Sequence, residues 1–434
     1  MALSTQPYKG ARDFYPEDKR FQTFVFSTWR RVVERFGYEE YDAPILEPLD
    51  IYLAKTGEEI VNEQTYVFED RGGRKVVIRP EMTPTVSRMV AAKRQELAYP
   101  LRWYSIPNLW RYERPQRGRL REHWQLNVDI FGVEDTSAEL EMITLIDAIF
   151  AEFGASRDTY EIRLNHRELV NYLLSTYLGL NEKTQHAISK LIDKLHKMDR
   201  VAFISKIDSL LSDDQRKDGV TEKLLGILDA KTLKDLPENE QKQPAAIELA
   251  SLILKLKQAG IKNVTFDGTL MRGFDYYSGI VFEVFDSDPE NNRSMLGGGR
   301  YDGLVGLFGV APVPTVGFGW GDVTLANFLE THHLLPQLPP PTDMFVIPVG
   351  EIDTELQTLL KELRDGGISL AVGVKNRKIG DQLKIAQKKG IPTVLIIGDD
   401  EIKNKKYTVK NITSGQEEKL TLSQMLQRNF KKGQ

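Results

Sequence analysis

Apolar residues in the first part of the chain follow two different periods. Residues 20–44, RFQTFVFSTWRRVVERFGYEEYDAP, keep a helical period up to Gly37, and an extended segment then runs to Pro44. Short strand-like segments come next, separated by Gly, Pro and charged turns: YVFED, KVVIRP, LRWYSIPNLWRYE and HWQLNVDIFGV. An acidic helix is predicted from Ala138 to Phe153. Helices mixed with antiparallel hairpins predict an α+β domain whose first part spans residues 1–164.

The middle of the chain has the pattern of a helical insertion. Residues 165–260 are rich in Lys, Asp, Glu and Leu, and their apolar positions keep a helical period. The clearest helical segments are NHRELVNYLLSTYLGL, KTQHAISKLIDKLHKM and AAIELASLILKLKQAG. Strand-like segments resume in residues 261–331, so we expect this part to complete the first domain.

The tail of the chain has a third pattern. Residues 332–342 are rich in proline, which stiffens a chain and ends helices, so they predict a linker. In residues 343–434 predicted strands alternate with predicted helices. The strands are MFVIPVG, ISLAVGV, IPTVLIIG and YTVKNI. One helix ends at Gly366 and Gly367, a second covers KIGDQLKIAQKKG, and a third lies at the end of the sequence. Such alternation predicts a small α/β domain in which helices cover a sheet.

The composition is that of a globular protein, with 41% hydrophobic and 28% charged residues and no apolar run long enough to cross a bilayer. The absence of cysteine excludes disulfides and thiolate metal sites, and six scattered histidines do not predict a zinc site, so any metal is expected to be oxygen-bound. The N-terminus resembles no secretory or organellar signal, so we expect a cytoplasmic protein. A net charge of −4 argues against coating nucleic acid through a bulk positive field.

A basic hairpin at residues 109–132 carries the densest chemistry. Residues two apart on a strand share a face, so we expect Arg111 and Glu113 on one arm to project together, as Gln125, Asn127 and Asp129 do on the other. The loop between the arms contains Arg114, Arg117, Arg119 and Arg121. Arginine suits phosphate oxygens and a carboxylate accepts from an amine, which favours a nucleotide site. The alternatives are a solvated basic hairpin or a general nucleic-acid contact.

Two further segments contain candidate residues. TLMRGFDYYSGIVFEVF, residues 269–285, offers a cation in Arg272 and phenols in Tyr276 and Tyr277, although tyrosine pairs are more often core residues with a wet hydroxyl. LGGGRYDGLVGLFG, residues 296–309, has three consecutive glycines that allow a tight turn close to a ligand. Without a GK[ST] ending or a long following helix, this run is neither a phosphate-binding P-loop nor a dinucleotide-binding fingerprint.

In combination these segments resemble a known family. Arg111-Tyr112-Glu113, the RGFDYY motif at 272–277 and the GGRYDG motif at 298–303 resemble the histidyl-tRNA synthetases, a family of class II aminoacyl-tRNA synthetases. The resemblance extends to KGARDFYP near the start, VIRPEMT at 77–83 and KIGDQLKIAQKKGIPTVLIIGDDE in the tail. A sibling synthetase for proline or threonine shares the class architecture but does not explain the RGFDYY motif.

The resemblance implies a mostly antiparallel catalytic sheet flanked by helices, a helical insertion and a C-terminal α/β anticodon-binding domain in a homodimer. The implied reaction activates L-histidine with ATP to histidyl-adenylate and transfers it to tRNA(His). Arginines that neutralise phosphate charge suit this chemistry. The implied cofactor is ATP with Mg²⁺ and no protein-bound transition metal, and no DNA or membrane partner is expected.

The same resemblance implies roles for individual residues. Arg111 and Arg272 would clamp the α-phosphate, Glu113 would meet the adenine amine, and Arg119 would reach the outer phosphates. The histidine ammonium would be held by Glu81, Thr83 and Gln125, and the imidazole by Asp129 and Tyr277. Tyr276, Arg300 and Tyr301 would be neighbours of this pocket. A pocket that satisfies both ring nitrogens rejects analogues that lack them.

The chain departs from the family pattern at the third class motif. GFGWGDVTLANFL has Thr324 where the family has an arginine that lies against ATP. Arg117, Arg121 or another side chain would have to substitute, unless this branch of synthetases does without the cation. A regulatory subunit of ATP phosphoribosyltransferase, which keeps the fold without catalysis, is the alternative, but such paralogues lack the anticodon-binding domain and degrade the two arginine motifs.

Overall fold

The structure is a computed structural model that describes residues 3–53, 64–192, 195, 198–270, 277–350, 354–374, 377–428 and 430. The chain forms two compact units. The first contains Met1–Asp13 and Gln22–Leu335, and the second contains Phe14–Phe21 and Pro336–Gln434. No helix in the described part of the chain has the length and apolar character needed to cross a membrane.

The first unit is built around one large sheet. Its strands are β1 (Glu39–Glu40), β2 (Leu46–Pro48), β3 (Tyr66–Glu69), β4 (Lys75–Ile78), β5 (Leu101–Ser105), β6 (Asn108–Trp110), β7 (Glu122–Phe131), β8 (Tyr160–His166), β9 (Val264–Phe266), β10 (Ile280–Asp286), β11 (Ser294–Arg300) and β12 (Thr315–Gly321). Within the described residues the large sheet has the order β1-β5-β7-β12-β11-β10-β8-β9, with β6 also paired to β7, and β2-β4-β3 form a small separate sheet. Only the outer pairs β1–β5 and β8–β9 of the large sheet are parallel. The predicted strands of this part are therefore confirmed, as is their mostly antiparallel pairing.

Helices cover one face of the large sheet and form the middle of the chain. They are α1 (Pro16–Arg35), α2 (Asp50–Leu53), α3 (Thr83–Ala92), α4 (Ser137–Glu152), α5 (Arg167–Tyr172), α6 (Glu182–Ile192), α7 (Arg200–Leu210), α8 (Asp213–Lys217), α9 (Val220–Asp229), α10 (Glu238–Gln241), α11 (Pro244–Gln258) and α12 (Asp322–Thr331). A π-helical turn at Leu173–Tyr177 follows α5. Helices α5 to α11 fall where the insertion is predicted and belong to the first compact unit; the limits 165–260 of a separate insertion domain stay a prediction.

Helix α1 shows why the local pattern succeeds. Val25, Trp29, Val32 and Val33 are buried at helical spacing, which directs one stripe of the helix into the core. The helix ends two residues before Gly37, whose φ of +82° lies in the left-handed region that favours glycine. The predicted helix and its stop at this glycine are both confirmed.

The second unit is a small α/β sheet. Its strands are β13 (Met344–Pro348), β14 (Leu370–Val372), β15 (Thr393–Ile397), β16 (Tyr407–Asn411) and β17 (Glu417–Leu420), and its helices are α13 (Thr354–Asp365), α14 (Ile379–Lys388), α15 (Asp399–Asn404) and α16 (Leu422–Gln427). The strand order is β14-β13-β15-β16-β17, with β13 parallel to both neighbours. Apolar clusters on both faces bury β13 completely, which explains its continuous hydrophobic run. Strand β17 and helix α15 were not predicted, because their sequences are short and charged.

Candidate active site

The middle of the large sheet presents polar side chains on the face opposite helix α4. Gln125, Asn127 and Asp129 alternate along β7 and therefore share a face, as predicted. Their partners on β12 are glycines: Gly317 lies opposite Asp129, and Gly319 lies opposite Asn127. A row of side chains on one strand thus faces a bare backbone on the next.

The glycines of β12 keep this face open. A Cβ atom at position 317 would overlap Asp129 Oδ1, and one at position 319 would overlap Gln125 Nε2. Any larger residue would displace the polar groups of β7. The GFGWG motif therefore makes room for two of the residues expected to hold histidine.

The three glycines at 297–299 do not form the turn that the sequence suggested. They lie inside β11, where Gly299 pairs with Gly317 and Gly298 with Phe318. A Cβ at 298 would come within 2.6 Å of Phe282 Cζ, and one at 299 within 2.6 Å of Ile280 O. The prediction of a tight turn is wrong because the glycines instead permit close packing between neighbouring strands.

A buried carboxyl lies at the centre of this face. Tyr301 donates its hydroxyl hydrogen to Asp129 Oδ1, and both side chains are buried. Burial raises the pKa of Asp129 to about 7, and the hydrogen bond from Tyr301 lowers it in part. The ring of Tyr277 packs edge-on against that of Tyr301, with 6.4 Å between the ring centres. The structure therefore brings together Asp129, Tyr277 and Tyr301.

The segment before α3 lies along the start of the hairpin. Arg111 donates through Nε to Pro80 O at 2.9 Å, and Trp110 N donates to Arg79 O at 3.2 Å. Glu81 is buried, and its carbonyl accepts from Tyr52 at 3.2 Å. Thr83 is the first residue of α3 and is partly buried. Glu81 and Thr83 thus lie one and three residues after Pro80, whose carbonyl accepts from Arg111.

The first arm of the hairpin is shorter than predicted. Strand β6 ends at Trp110, and Glu113 N donates to Arg111 O at 2.8 Å, which turns the chain within three residues. The prediction that Arg111 and Glu113 share a strand face is therefore wrong. The tip is closed by Gln116 and Arg119, which exchange two backbone hydrogen bonds of 2.9 Å.

Glu113 and Arg119 are neighbours in the hairpin. Arg119 Nε lies 2.8 Å from Glu113 Oε2, and the carboxylate is almost entirely buried while the arginine side chain is 40% exposed. Both residues were expected to contact ATP, but at opposite ends of the molecule. In this structure they contact each other.

The two arginines that could replace the missing cation are held by other protein groups. Arg121 stacks its guanidinium 4.0 Å above the Tyr112 ring and donates to Glu113 O at 3.0 Å and Tyr8 Oη at 2.8 Å. Arg117 donates to Asn291 Oδ1 at 2.9 Å and to Thr331 Oγ1 at 3.1 Å.

Arg300 lies on the opposite face of the large sheet from Asp129. Adjacent residues on a strand point to opposite faces, so Gly299 faces Tyr277 while Arg300 faces helix α4. There it forms a buried two-pronged ion pair with Glu139, with distances of 2.7 and 2.8 Å, and donates to Val133 O and Asp135 O. The strand period thus directs Arg300 away from Asp129 and Tyr277 to the other face, where it holds α4 against the sheet.

Arg272 and Tyr276 fall outside the residues that the structure describes. One neighbour on β7 was missed by sequence reasoning. His123 shares the face of Gln125, and burial, followed by the charges of Arg111, Arg12 and Arg119, lowers its pKa to about 3. The same alternation that selected Gln125, extended back by two residues, would have found it. A neutral imidazole therefore lies among the arginines.

Asp322 explains the local sequence of the third motif. Arg12 donates to Asp322 Oδ2 at 2.7 Å, and Asp322 Oδ1 accepts from Trp124 N at 3.0 Å. The carboxylate stands at the first position of α12, where a negative charge is favourable. This residue ties the KGARDFYP segment, the hairpin and α12 together.

Comparisons with known proteins agree with this architecture. A family model described as histidyl-tRNA synthetase matches residues 10–321, and one described as anticodon binding domain matches residues 343–429. The chain is 44% identical over 428 residues to the histidine–tRNA ligase of Leptospira biflexa, covering 98% of this chain and 97% of the relative. It is 36% identical over 425 residues to that of Thermoplasma volcanium, covering 98% of each. The crystal structure of histidyl-tRNA synthetase from Nostoc sp. PCC 7120 has a TM-score of 0.79 and 25% identity, covering 99% of this chain and 100% of that one.

A large, mostly antiparallel sheet with flanking helices, followed by an anticodon-binding domain, defines the fold of a class II aminoacyl-tRNA synthetase. The predicted fold class is thereby confirmed. The chain belongs to the histidyl-tRNA synthetase family. The regulatory-subunit alternative is not favoured, because the chain carries the anticodon-binding domain and matches its catalytic relatives over nearly their whole length.

Proposed function

We propose that the open face of the large sheet, with Arg111, Glu113 and Arg119 of the adjoining hairpin, forms the site at which this chain activates histidine. The chain is a histidine–tRNA ligase: it joins L-histidine to the 3′ end of tRNA(His) with ATP and releases AMP and diphosphate. The main observation in support of this site is the buried Asp129, which accepts a hydrogen bond from the Tyr301 hydroxyl. The carboxyl fits there because Gly317 has no side chain.

Asp129 is proposed to recognise the imidazole. A carboxyl whose pKa is about 7 is partly ionised near neutral pH, and its free oxygen can accept from a ring N–H. The Tyr301 hydroxyl donates to Oδ1 of Asp129 and so holds the carboxyl in place. The Tyr277 ring packs against the Tyr301 ring beside it. Tyr276 belongs to the same motif by resemblance. A pocket of this kind discriminates because a substrate without ring nitrogens would leave a buried polar group unpaired.

The histidine ammonium is proposed to lie among Glu81, Thr83 and Gln125. Glu81 supplies the negative charge, and the hydroxyl and amide supply further acceptors. Burial of Glu81 and the hydrogen bond between Arg111 and Pro80 support a preorganised segment at this position.

Arg111 and Arg272 are proposed to neutralise the α-phosphate while the histidine carboxylate attacks the phosphorus. Glu113 would accept from the adenine amine, and Arg119 would contact the outer phosphates. The ion pair between Arg119 Nε and Glu113 Oε2, which are 2.8 Å apart, would hold both side chains together at the nucleotide site before ATP binds.

The metal and the partners follow from the same reaction. The described residues contain no cluster of three His, Asp or Glu side chains that could hold a metal, so Mg²⁺ is proposed to arrive with the phosphates, as this ion usually does. We propose a homodimer, supported by exposed Ile45, Leu46, Val67 and Phe68 on and beside the small sheet. The cytoplasm is the proposed location.

The proposed function is tested by exchange of labelled pyrophosphate into ATP with histidine, proline or threonine. We expect exchange with histidine alone, because the site residues address an imidazole. Exchange that depends on proline or threonine would contradict the proposal that the pocket is selective for histidine. Absence of exchange with every amino acid would contradict the proposed catalytic site.

Replacing Asp129 with Asn is expected to raise the KM for histidine by roughly 10- to 100-fold, the range for losing a charged hydrogen bond, with the KM for ATP nearly unchanged.

The pH dependence of the folding stability should also change in the Asp129→Asn variant. Because the folded-state pKa of Asp129 is raised, the stability that this group contributes is fully present below the ordinary value near 4 and is lost as pH rises through about 7. The Asn variant should lack that fall, which urea unfolding at pH 5 and pH 8 measures. If the Asp129→Asn variant kept the wild-type KM for histidine, the proposal that Asp129 binds the imidazole would be contradicted.

A further inference from the structure

A pocket of about 310 Å³ lies beside the tip of the hairpin. It is lined by Gln116–Gly118 of the tip, by the β10–β11 connection at residues 290–293, and by Thr324 and Asn327 of α12. The pocket therefore joins the loop proposed to bind ATP to the position where the family arginine is missing.

Arg293 is the unusual residue of this pocket. Its side chain is partly buried, yet among the described residues it has neither a hydrogen-bond nor an ion-pair partner. No nitrogen of Arg293 is among the buried side-chain atoms that lack a partner, so its guanidinium donors remain accessible to a ligand in the pocket. An unpaired arginine in a polar pocket therefore points to an anionic ligand.

Arg293 and Thr324 approach the same point. A Cβ atom built on Gly118 would lie 3.5 Å from Arg293 Cδ and 3.6 Å from Thr324 Cγ2. The Thr324 hydroxyl is itself occupied, because its one hydrogen lies between two carbonyl acceptors, Met295 O at 2.8 Å and Gly321 O at 3.0 Å from Oγ1. Thr324 thus joins the start of α12 to β11, and Arg293 supplies the positive charge at this end of the pocket.

The charge of the pocket favours a polyanion. Arg117 contributes a second guanidinium, and Asn291 holds it at 2.9 Å from the β10–β11 connection. Glu290 is the single acid among the described lining residues, and it is exposed. Two arginines and several amides offer more donors than one carboxylate can satisfy, so phosphate oxygens fit the pocket.

We propose that Arg293 binds the terminal two phosphates of ATP and thereby replaces the arginine that Thr324 lacks. This inference rests on the proposed function, in which Glu113 meets the adenine end and the hairpin tip extends toward the phosphates. When a histidine carboxylate oxygen bonds to the α-phosphorus, the bond to the bridging oxygen breaks and its electron pair leaves with diphosphate. Arg293 neutralises the charge that gathers on this leaving group.

Histidine-dependent pyrophosphate exchange tests this role in the full-length chain. We expect Arg293→Ala to raise the KM for both ATP and pyrophosphate by roughly 10- to 100-fold, while the KM for histidine stays within about twofold. Arg293→Lys should lie between Ala and wild type, because it keeps the charge but loses the planar fork. Arg200→Ala, which removes an exposed arginine of α7 paired with Asp229, is the matched control.

A second-site variant separates phosphate binding from a structural role. Adding Thr324→Arg to Arg293→Ala should lower the KM for pyrophosphate by at least about fivefold relative to Arg293→Ala alone, because both side chains reach the same pocket. Wild-type exchange with unchanged constants in Arg293→Ala would overturn the inference alone, as would equal losses for histidine and pyrophosphate that Thr324→Arg does not repair. Absence of histidine-dependent exchange in the wild type would instead overturn the proposed function.

Discussion

Replacing Arg111 with alanine is expected to lower the maximal rate of histidine-dependent pyrophosphate exchange by on the order of 10²- to 10³-fold, the usual loss when one preorganised group facing transition-state charge is removed. Its Nε is held by Pro80 O at 2.9 Å, so the guanidinium is oriented before any substrate binds. Its remaining N–H groups have no protein partner among the described residues. They are therefore available for phosphate oxygens.

The same hairpin provides a matched control for Arg111. Arg114 is exposed, and no described residue pairs with it, so Arg114→Ala removes the same charge three residues away. We expect exchange by this variant within about twofold of wild type. Arg111→Lys should keep part of the activity, since a lysine retains charge without the fork. An Arg111→Ala enzyme that kept more than a tenth of the wild-type rate would contradict the proposed role.

Replacing Glu139 with Gln is expected to destabilise the first unit by about 3 kcal/mol, because the buried charge of Arg300 then keeps only the more distant and partly exposed carboxylate of Asp302, at 3.5 Å. The two side chains are almost completely inaccessible and are joined by two hydrogen bonds of 2.7 and 2.8 Å. Urea unfolding followed by tryptophan fluorescence measures this loss. All five tryptophans, at 29, 103, 110, 124 and 320, belong to the first unit.

The double variant Glu139→Leu with Arg300→Met distinguishes a structural pair from a substrate contact. Apolar residues of similar size can replace a buried ion pair with little loss, so we expect most of the stability to return. The KM for histidine should stay within about threefold of wild type, because Arg300 faces α4. A large rise in the KM for histidine in a double variant of restored stability would show that Arg300 contributes to histidine binding and would contradict a purely structural role.

Local patterns predicted those features that depend on neighbours in the chain. The alternation of Gln125, Asn127 and Asp129 requires only the two-residue period of a strand, and the stop of α1 at Gly37 requires only the conformational freedom of glycine. The alternating strands and helices of the tail likewise follow from buried apolar runs. These interactions span a few residues, so the sequence records them directly.

Other features depend on which strands pair. The glycines at 297–299 suggest a turn by themselves, but their neighbours β10 and β12 make them a close-packed strand. Arg300 ends β11 and Tyr301 follows it, yet Arg300 contacts Glu139 of α4 while Tyr301 contacts Asp129 on the other face of the sheet. No local pattern contains this information, because the partner strands lie tens of residues away.

The sequence by itself therefore determined most of the element types, the mostly antiparallel domain followed by an α/β tail, and the residue types suited to ATP and histidine. Only the tertiary structure decided which arginines are available. Arg117 and Arg121 are occupied by Asn291, Thr331, Tyr8 and Glu113, whereas Arg293, from a connection that sequence reasoning passed over, faces the pocket beside Thr324. The physical reason is that a charged side chain takes its role from the partners around it, and long-range folding supplies those partners.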